Sequence, residues 1–105
     1  MENNFETVVT ELIVQAGDAR SLALQAVREG RKQNWDEVSK LMKECDAAML
    51  KAHEVQTELI QRELNGIPVN MNLLMVHAQD HVMNAMTVRD LAAEMLAMLG
   101  SETEY

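Results

Sequence analysis

The strongest constraint on this fold is how rarely the chain is interrupted. Turn-forming residues cluster at only two interior places, Gly30 to Asn34 and Asn65-Gly66-Ile67-Pro68, before a stop at Gly100. Between these points apolar residues recur three and four apart, the spacing of one helix face. The first stripe reads Phe5, Val8, Val9, Leu12, Ala16, Ala19, Ala23, Ala26 and Val27. Asn3 is expected to N-cap it, with Glu6 in capping-box position. Gly30 is expected as the C′ residue, near Arg28, Arg31 and Lys32 at the negative end of the dipole. Asn34 repeats the cap signal before a second stripe of Trp35, Val38, Leu41, Met42, Cys45, Met49, Ala52, Val55 and Leu59. Gly66 and Pro68 end that helix, because Gly accepts a left-handed backbone and Pro cannot continue one. Asn70 or Asn72 caps a third helix running to Leu99, and Ser101 to Tyr105 reads as a frayed acidic tail.

Helices of roughly 26 to 31 residues span about 40 to 45 Å. Connections this short force neighbours to alternate direction, so the expected fold is an all-α, up-down-up antiparallel three-helix bundle. Composition agrees: aromatics are 3% and Met numbers nine, a balance that favours helix over strand. With 105 residues, 48% of them hydrophobic, the chain supports one core and one domain, residues 1–105.

The formal charge of −8 repels phosphate backbones and argues against nucleic acid, while an acidic surface would steer a basic protein towards it. Cys45, the single cysteine, excludes an internal disulfide and falls on the apolar stripe, as an inert buried thiol would. No basic-then-apolar leader and no apolar run near the ~20 residues of a membrane span is present, so a cytoplasmic protein without membrane insertion is expected. Gly17, inside helix one at a cost of about 1 kcal/mol against Ala, suggests a close helix approach or a merely tolerated glycine.

Helix three carries two heptad-like lines. Leu74, Ala78, His81, Ala85, Val88, Ala92, Met95 and Leu99 suit an intramolecular core. Leu73, His77, Asp80, Asn84, Thr87 and Leu91 form a seam with apolar ends and a polar middle. Short polar residues flanked by Leu resemble a semi-buried interface rather than a solvated face. Three copies around a threefold axis would bring three Asp80 carboxylates together. Raised pKa values or a hard cation such as Mg²⁺ would then be needed. A surface carboxylate making an intrahelical contact is the competing reading, and spacing alone favours it.

His77 and His81, four apart, share one broad face. They could be zinc ligands, structural histidines, or a phosphoryl carrier. Zinc lacks an evident third ligand beyond His53, although His77-x-x-Asp80-His81 resembles an inverted metalloprotease motif. A carrier needs one imidazole nitrogen free to attack and the other held in its tautomer. Neutral donors (His81, Asn84, Thr87, Gln79) could then stabilise the phosphoryl oxygens. The stretch Met71 to Val88 has no Lys or Arg to hold the group too tightly. Met71, Met75, Met83 and Met86 around these histidines suit a surface that docks several partners. Spacing does not choose among the three readings.

The segment Met75-Val76-His77-Ala78-Gln79-Asp80-His81-Val82-Met83 closely resembles the active-site segment of the lactose/cellobiose-type enzyme IIA of the bacterial phosphoenolpyruvate-dependent sugar phosphotransferase system (PTS). Ala16-Gly17-Asp18-Ala19-Arg20-Ser21 and Ala52-His53-Glu54-Val55-Gln56-Thr57-Glu58-Leu59-Ile60 are similar to it as well, so the resemblance spans nearly the whole chain. It implies a single domain of this type and a nine-helix homotrimer. It implies that His77 takes a phosphoryl group from HPr, as tele-phosphohistidine, and passes it to a cysteine of enzyme IIB. It further implies Asp80 as a metal residue shared between subunits, with Mg²⁺ on the axis, and His81 and Gln79 as active-site support. Gln79 points ~200° away from His77 around the helix, so it would act from behind or from a neighbouring subunit. Val76-His77-Ala78 looks more like cellobiose or diacetylchitobiose relatives than lactose ones. A non-catalytic, metal-bound trimeric regulatory module is the alternative function.

Overall fold

The computed structural model describes residues 2–105, with side-chain surroundings described from Phe5 onward. Three helices follow in order: α1 (Glu2–Arg31), α2 (Trp35–Leu64) and α3 (Leu73–Met98). They form a rod of 48 × 22 × 18 Å. The expected all-α, up-down-up bundle is what the chain adopts, and no strand occurs among the described residues. α1 is the central element: it packs along both α2 and α3, which meet each other at few positions. Helical backbone already runs through Asn3. The Asn3 side chain, and with it the expected capping box, lies outside the described residues.

Small residues let α1 sit between two neighbours. Ala16, Ala19, Ala23 and Ala26 are fully buried, and Cys45 of α2 comes close enough to donate from Sγ to the Ala19 carbonyl at 3.2 Å. Cys45 is buried as expected, and burial pushes its thiol up to about 11, with the Asp46 charge adding to the effect. Larger side chains, Val9, Leu12, Met42, Met75 and Leu96, fill the space between helices.

Gly30 is not the C′ residue. α1 continues through it to Arg31, and the left-handed position is Gln33 (φ 59°). Gly30 is instead a contact residue. A Cβ there would lie 2.6 Å from Leu96 Cδ2 and 3.4 Å from Leu99 Cδ1, so the C-terminal ends of α1 and α3 meet side by side. Gly17, by contrast, has nothing within 4 Å of a Cβ, so no helix of the same chain closes on it. Asn34 precedes α2 but its side chain does not cap; its Nδ2 donates to Glu29 Oε2 at 3.3 Å. Gly66 (φ 80°) ends α2 as expected. Asn72 rather than Asn70 caps α3, its Oδ1 accepting from the Met75 amide at 2.9 Å.

The core line of α3 is Met75, Ala78, Val82, Ala85, Ala92 and Leu96. The expected line shares only its alanines: Met95 and Leu99 are exposed and His81 is half-exposed. α3 is apolar on several faces, so its sequence supports more than one stripe. The tail is also ordered differently from expectation. Tyr105 packs against the cluster of Ala26, Val38, Leu41, Met42 and Leu96. Its hydroxyl pairs with Ser39 Oγ at 2.7 Å, and its carbonyl oxygen accepts from Arg89. Among the described residues no helix is long and apolar enough to cross a membrane.

Candidate functional site

The N-terminal half of α3 presents the histidines. Asn72 fixes the first turn, and Met75, Ala78 and Val82 bury the inner face. The 100° step per residue then turns His77 and His81 to one flank and Asp80 outward. His77 is exposed and its ring meets that of His81 at 4.3 Å between centroids, tilted by 47°. Neither imidazole makes a hydrogen bond to another described residue of the chain. Among the described residues, then, none fixes the tautomer of His77.

The other expected donors do not gather round His77. Asn84 Nδ2 is directed at Asp80 Oδ2 at 3.4 Å, and Thr87 Oγ1 donates to the Met83 carbonyl at 3.1 Å. Gln79 faces α2, where its Oε1 accepts from Gln56 Nε2 at 2.8 Å and its Nε2 lies 3.6 Å from Met75 Sδ. The ~200° offset between Gln79 and His77 is thus real, and the amide is tethered on the far flank. Sequence reasoning misses Gln56 as a partner, although it lies in the Ala52–Ile60 segment that carries the resemblance. Of the four methionines, Met71 and Met83 are exposed, Met86 is half-buried, and Met75 is core.

The exposed seam of α3 is intact. Leu73, His77, Asp80, Asn84, Thr87 and Leu91 are all open to solvent in the single chain, with Leu73 85% exposed. Val76, Met83, Met95 and Met98 extend this open apolar surface. Among the described residues, the Asp80 carboxylate has only its Asn84 contact. Among the described residues no three His, Cys, Asp or Glu side chains are grouped as metal ligands. Asp80 has the donor type that a hard cation prefers, but one chain supplies only one such carboxylate.

Similarity to known proteins agrees with the residues that form this turn. The family model described as "PTS system, Lactose/Cellobiose specific IIA subunit" matches residues 7–99. The lichenan-specific phosphotransferase enzyme IIA component of Bacillus subtilis is 41% identical over 104 residues, covering 99% of this chain and 94% of that protein. The N,N'-diacetylchitobiose-specific EIIA component of Escherichia coli K12 is 36% identical over 93 residues, 89% of this chain and 80% of that protein. A crystal structure of the PTS cellobiose-specific enzyme IIA from Bacillus anthracis superposes with a TM-score of 0.87 at 39% identity, covering 90% of this chain and 87% of that one. With the three-helix fold and the exposed His77–His81 turn in place, this match along almost the full length makes the chain a member of the lactose/cellobiose-specific IIA subunit family of the PTS.

Proposed function

We propose that this protein is a phosphocarrier, with His77 as the carrying residue. A phosphoryl group moves from the phosphohistidine nitrogen of HPr to Nε2 of His77, breaking one N–P bond and forming another. It then leaves for the cysteine thiolate of enzyme IIB, exchanging the N–P bond for an S–P bond. The observation that carries this reading is an exposed imidazole paired, among the described residues, only with a second imidazole, on a segment free of Lys and Arg from Met71 to Val88. An uncharged ring nitrogen is a competent nucleophile, and the lack of a cation clamp leaves the phosphoryl free to move on. His81, at 4.3 Å, is the nearest support. The relatives named for lichenan, cellobiose and diacetylchitobiose support a β-linked oligosaccharide as the sugar, and partners of this kind support a cytoplasmic location.

The same reading makes the assembly a homotrimer with α3 innermost. An α3 that is apolar beyond its core face, with a seam open in the single chain, supports it. Three Asp80 carboxylates would hold Mg²⁺ on the axis, where the ion's charge offsets their mutual repulsion. Gln79, tethered to Gln56, supports the site from the adjoining subunit. The regulatory-module alternative has no observation that favours it over this reading.

Incubation with phosphoenolpyruvate, enzyme I and HPr should place one acid-labile phosphoryl group on each wild-type chain and none on His77→Ala. Equal labelling of His77→Ala would refute the assignment.

A further inference from the structure

The two flanks of α3 carry opposite charge at the same height. Towards α1 lies an open apolar groove of about 310 Å³, floored by Val27, Val88, Leu91 and Met95 and rimmed by Arg28 and Arg31. Both arginines are exposed, and neither makes an ion pair or hydrogen bond with a described residue. On the other side of α3 stand Asp90 and Glu94. Glu94 makes no ion pair with a described residue, and Asp90 has only a 3.5 Å contact from the adjacent Arg89, with its side chain 77% exposed. At 100° per residue these carboxylates lie roughly 100 to 160° around the helix from Val88 and Met95, while Glu94 stands about 60° from Leu91 at the groove's edge. Neither pairs with Arg28 or Arg31 of its own chain.

Two different, complementary patches on one subunit make a heterologous contact, which closes into a ring when the rotation allows. A twofold pairing of groove against groove would instead set arginine against arginine. Resting on the threefold assembly proposed above, we propose that Arg28 and Arg31 of each copy pair with Asp90 and Glu94 of the next copy. The partner's acidic flank seats over the Val88–Leu91–Met95 floor. Arg28 and Arg31 face the stretch of α3 that contains Asp90 and Glu94, so copies standing level around an axis parallel to α3 bring the two sets to one height. Apolar groove walls around these pairs shield them from water, which strengthens them beyond ordinary surface ion pairs. They lie near the end of α3 opposite Asp80, about 21 Å from it to Glu94, and set the direction and register of the ring there.

The test is sedimentation equilibrium in excess Mg²⁺, with helical content followed by circular dichroism. Arg28→Glu with Arg31→Glu should raise the protein concentration needed for assembly by about tenfold or more, and Asp90→Arg with Glu94→Arg should do the same. The chain carrying all four substitutions should assemble within about threefold of wild type. The inference is overturned if either charge reversal leaves assembly unchanged, or if the fourfold chain stays dissociated with wild-type helix content. A wild-type chain that is monomeric with and without Mg²⁺ would instead overturn the threefold reading itself.

Discussion

Replacing Gly30 by Ala should destabilise the protein even though the site is helical. In an open helix the change would gain about 0.5–1 kcal/mol, since Gly loses more backbone freedom on folding and has the poorer propensity. The new methyl, however, would stand 2.6 Å from Leu96 Cδ2, 3.4 Å from Leu99 Cδ1 and 3.5 Å from Trp35 Cζ3. Favourable carbon contacts lie at roughly 3.5–4.0 Å, so the overlap with Leu96 is about 1 Å. Leu96 is fully buried against Ala26, Val38, Leu41 and Met42 and cannot swing into solvent. Overpacking of this kind costs about 1–3 kcal/mol. The net expectation is a loss of up to about 2.5 kcal/mol, centred near 1, measured by urea denaturation at fixed protein and Mg²⁺ concentration. Gly17→Ala is the internal control: with open space at its Cβ, it should show the helical gain without the clash. Leu96→Ala removes the obstructing side chain, so in that background Gly30→Ala should become stabilising. A Gly30→Ala chain as stable as Gly17→Ala, or an unchanged penalty beside Ala at 96, would refute the close approach.

Other perturbations read other parts of the molecule. Cys45 should resist alkylation: at pH 8 its thiolate fraction is about a hundredfold below that of an unfolded thiol, judged from a pKa near 11 against 9.0. Because the folded thiol keeps its proton longer, its contribution to stability is complete below about pH 9 and is lost as pH rises towards 11, which denaturation across that window would show. Asn72→Ala should cost about 1 kcal/mol of stability through loss of the bond to the Met75 amide, again by urea denaturation. Arg89→Met should release the tail by removing the contacts to Asp46 and the Tyr105 carbonyl, and faster amide exchange in residues 101–105 would report it. Asp80→Asn should make assembly insensitive to chelation, where sedimentation of the wild type shifts on adding EDTA.

Residues with a local physical signature declare their place in the sequence itself. Gly66 needs a positive φ and Cys45 falls on a clean stripe, whereas a capping oxygen alone leaves Asn70 and Asn72 equal, and Asn34, which offers one too, does not cap. Gly30 is harder to read, because a helix-ending glycine and a close-contact glycine look alike in one sequence. Leu96 and Leu99, more than sixty residues away, distinguish them. Met95 and Leu99 resemble core residues because α3 is apolar on several faces, and its period cannot choose between Met75–Val82–Leu96 and its neighbours. The tail looks frayed because short polar segments usually are. Its anchor is long-range, from Tyr105 to Ser39 and Arg89. At the site, the i, i+4 spacing correctly sets His77 beside His81. It cannot show that Asn84 and Thr87 spend their polar groups on α3 itself, or that Gln56 draws Gln79 to the opposite flank.

On the proposed function, His77 holds a phosphoryl group in transit. Tandem mass spectrometry of the protein charged by phospho-HPr, before and after one equivalent of the cognate enzyme IIB, tests it in a single preparation. The added phosphoryl should appear on His77 alone, be lost from this chain on mixing and be recovered on a cysteine of enzyme IIB. A phosphoryl found on His53 or His81, or one that stays on His77 in the presence of enzyme IIB, would contradict it.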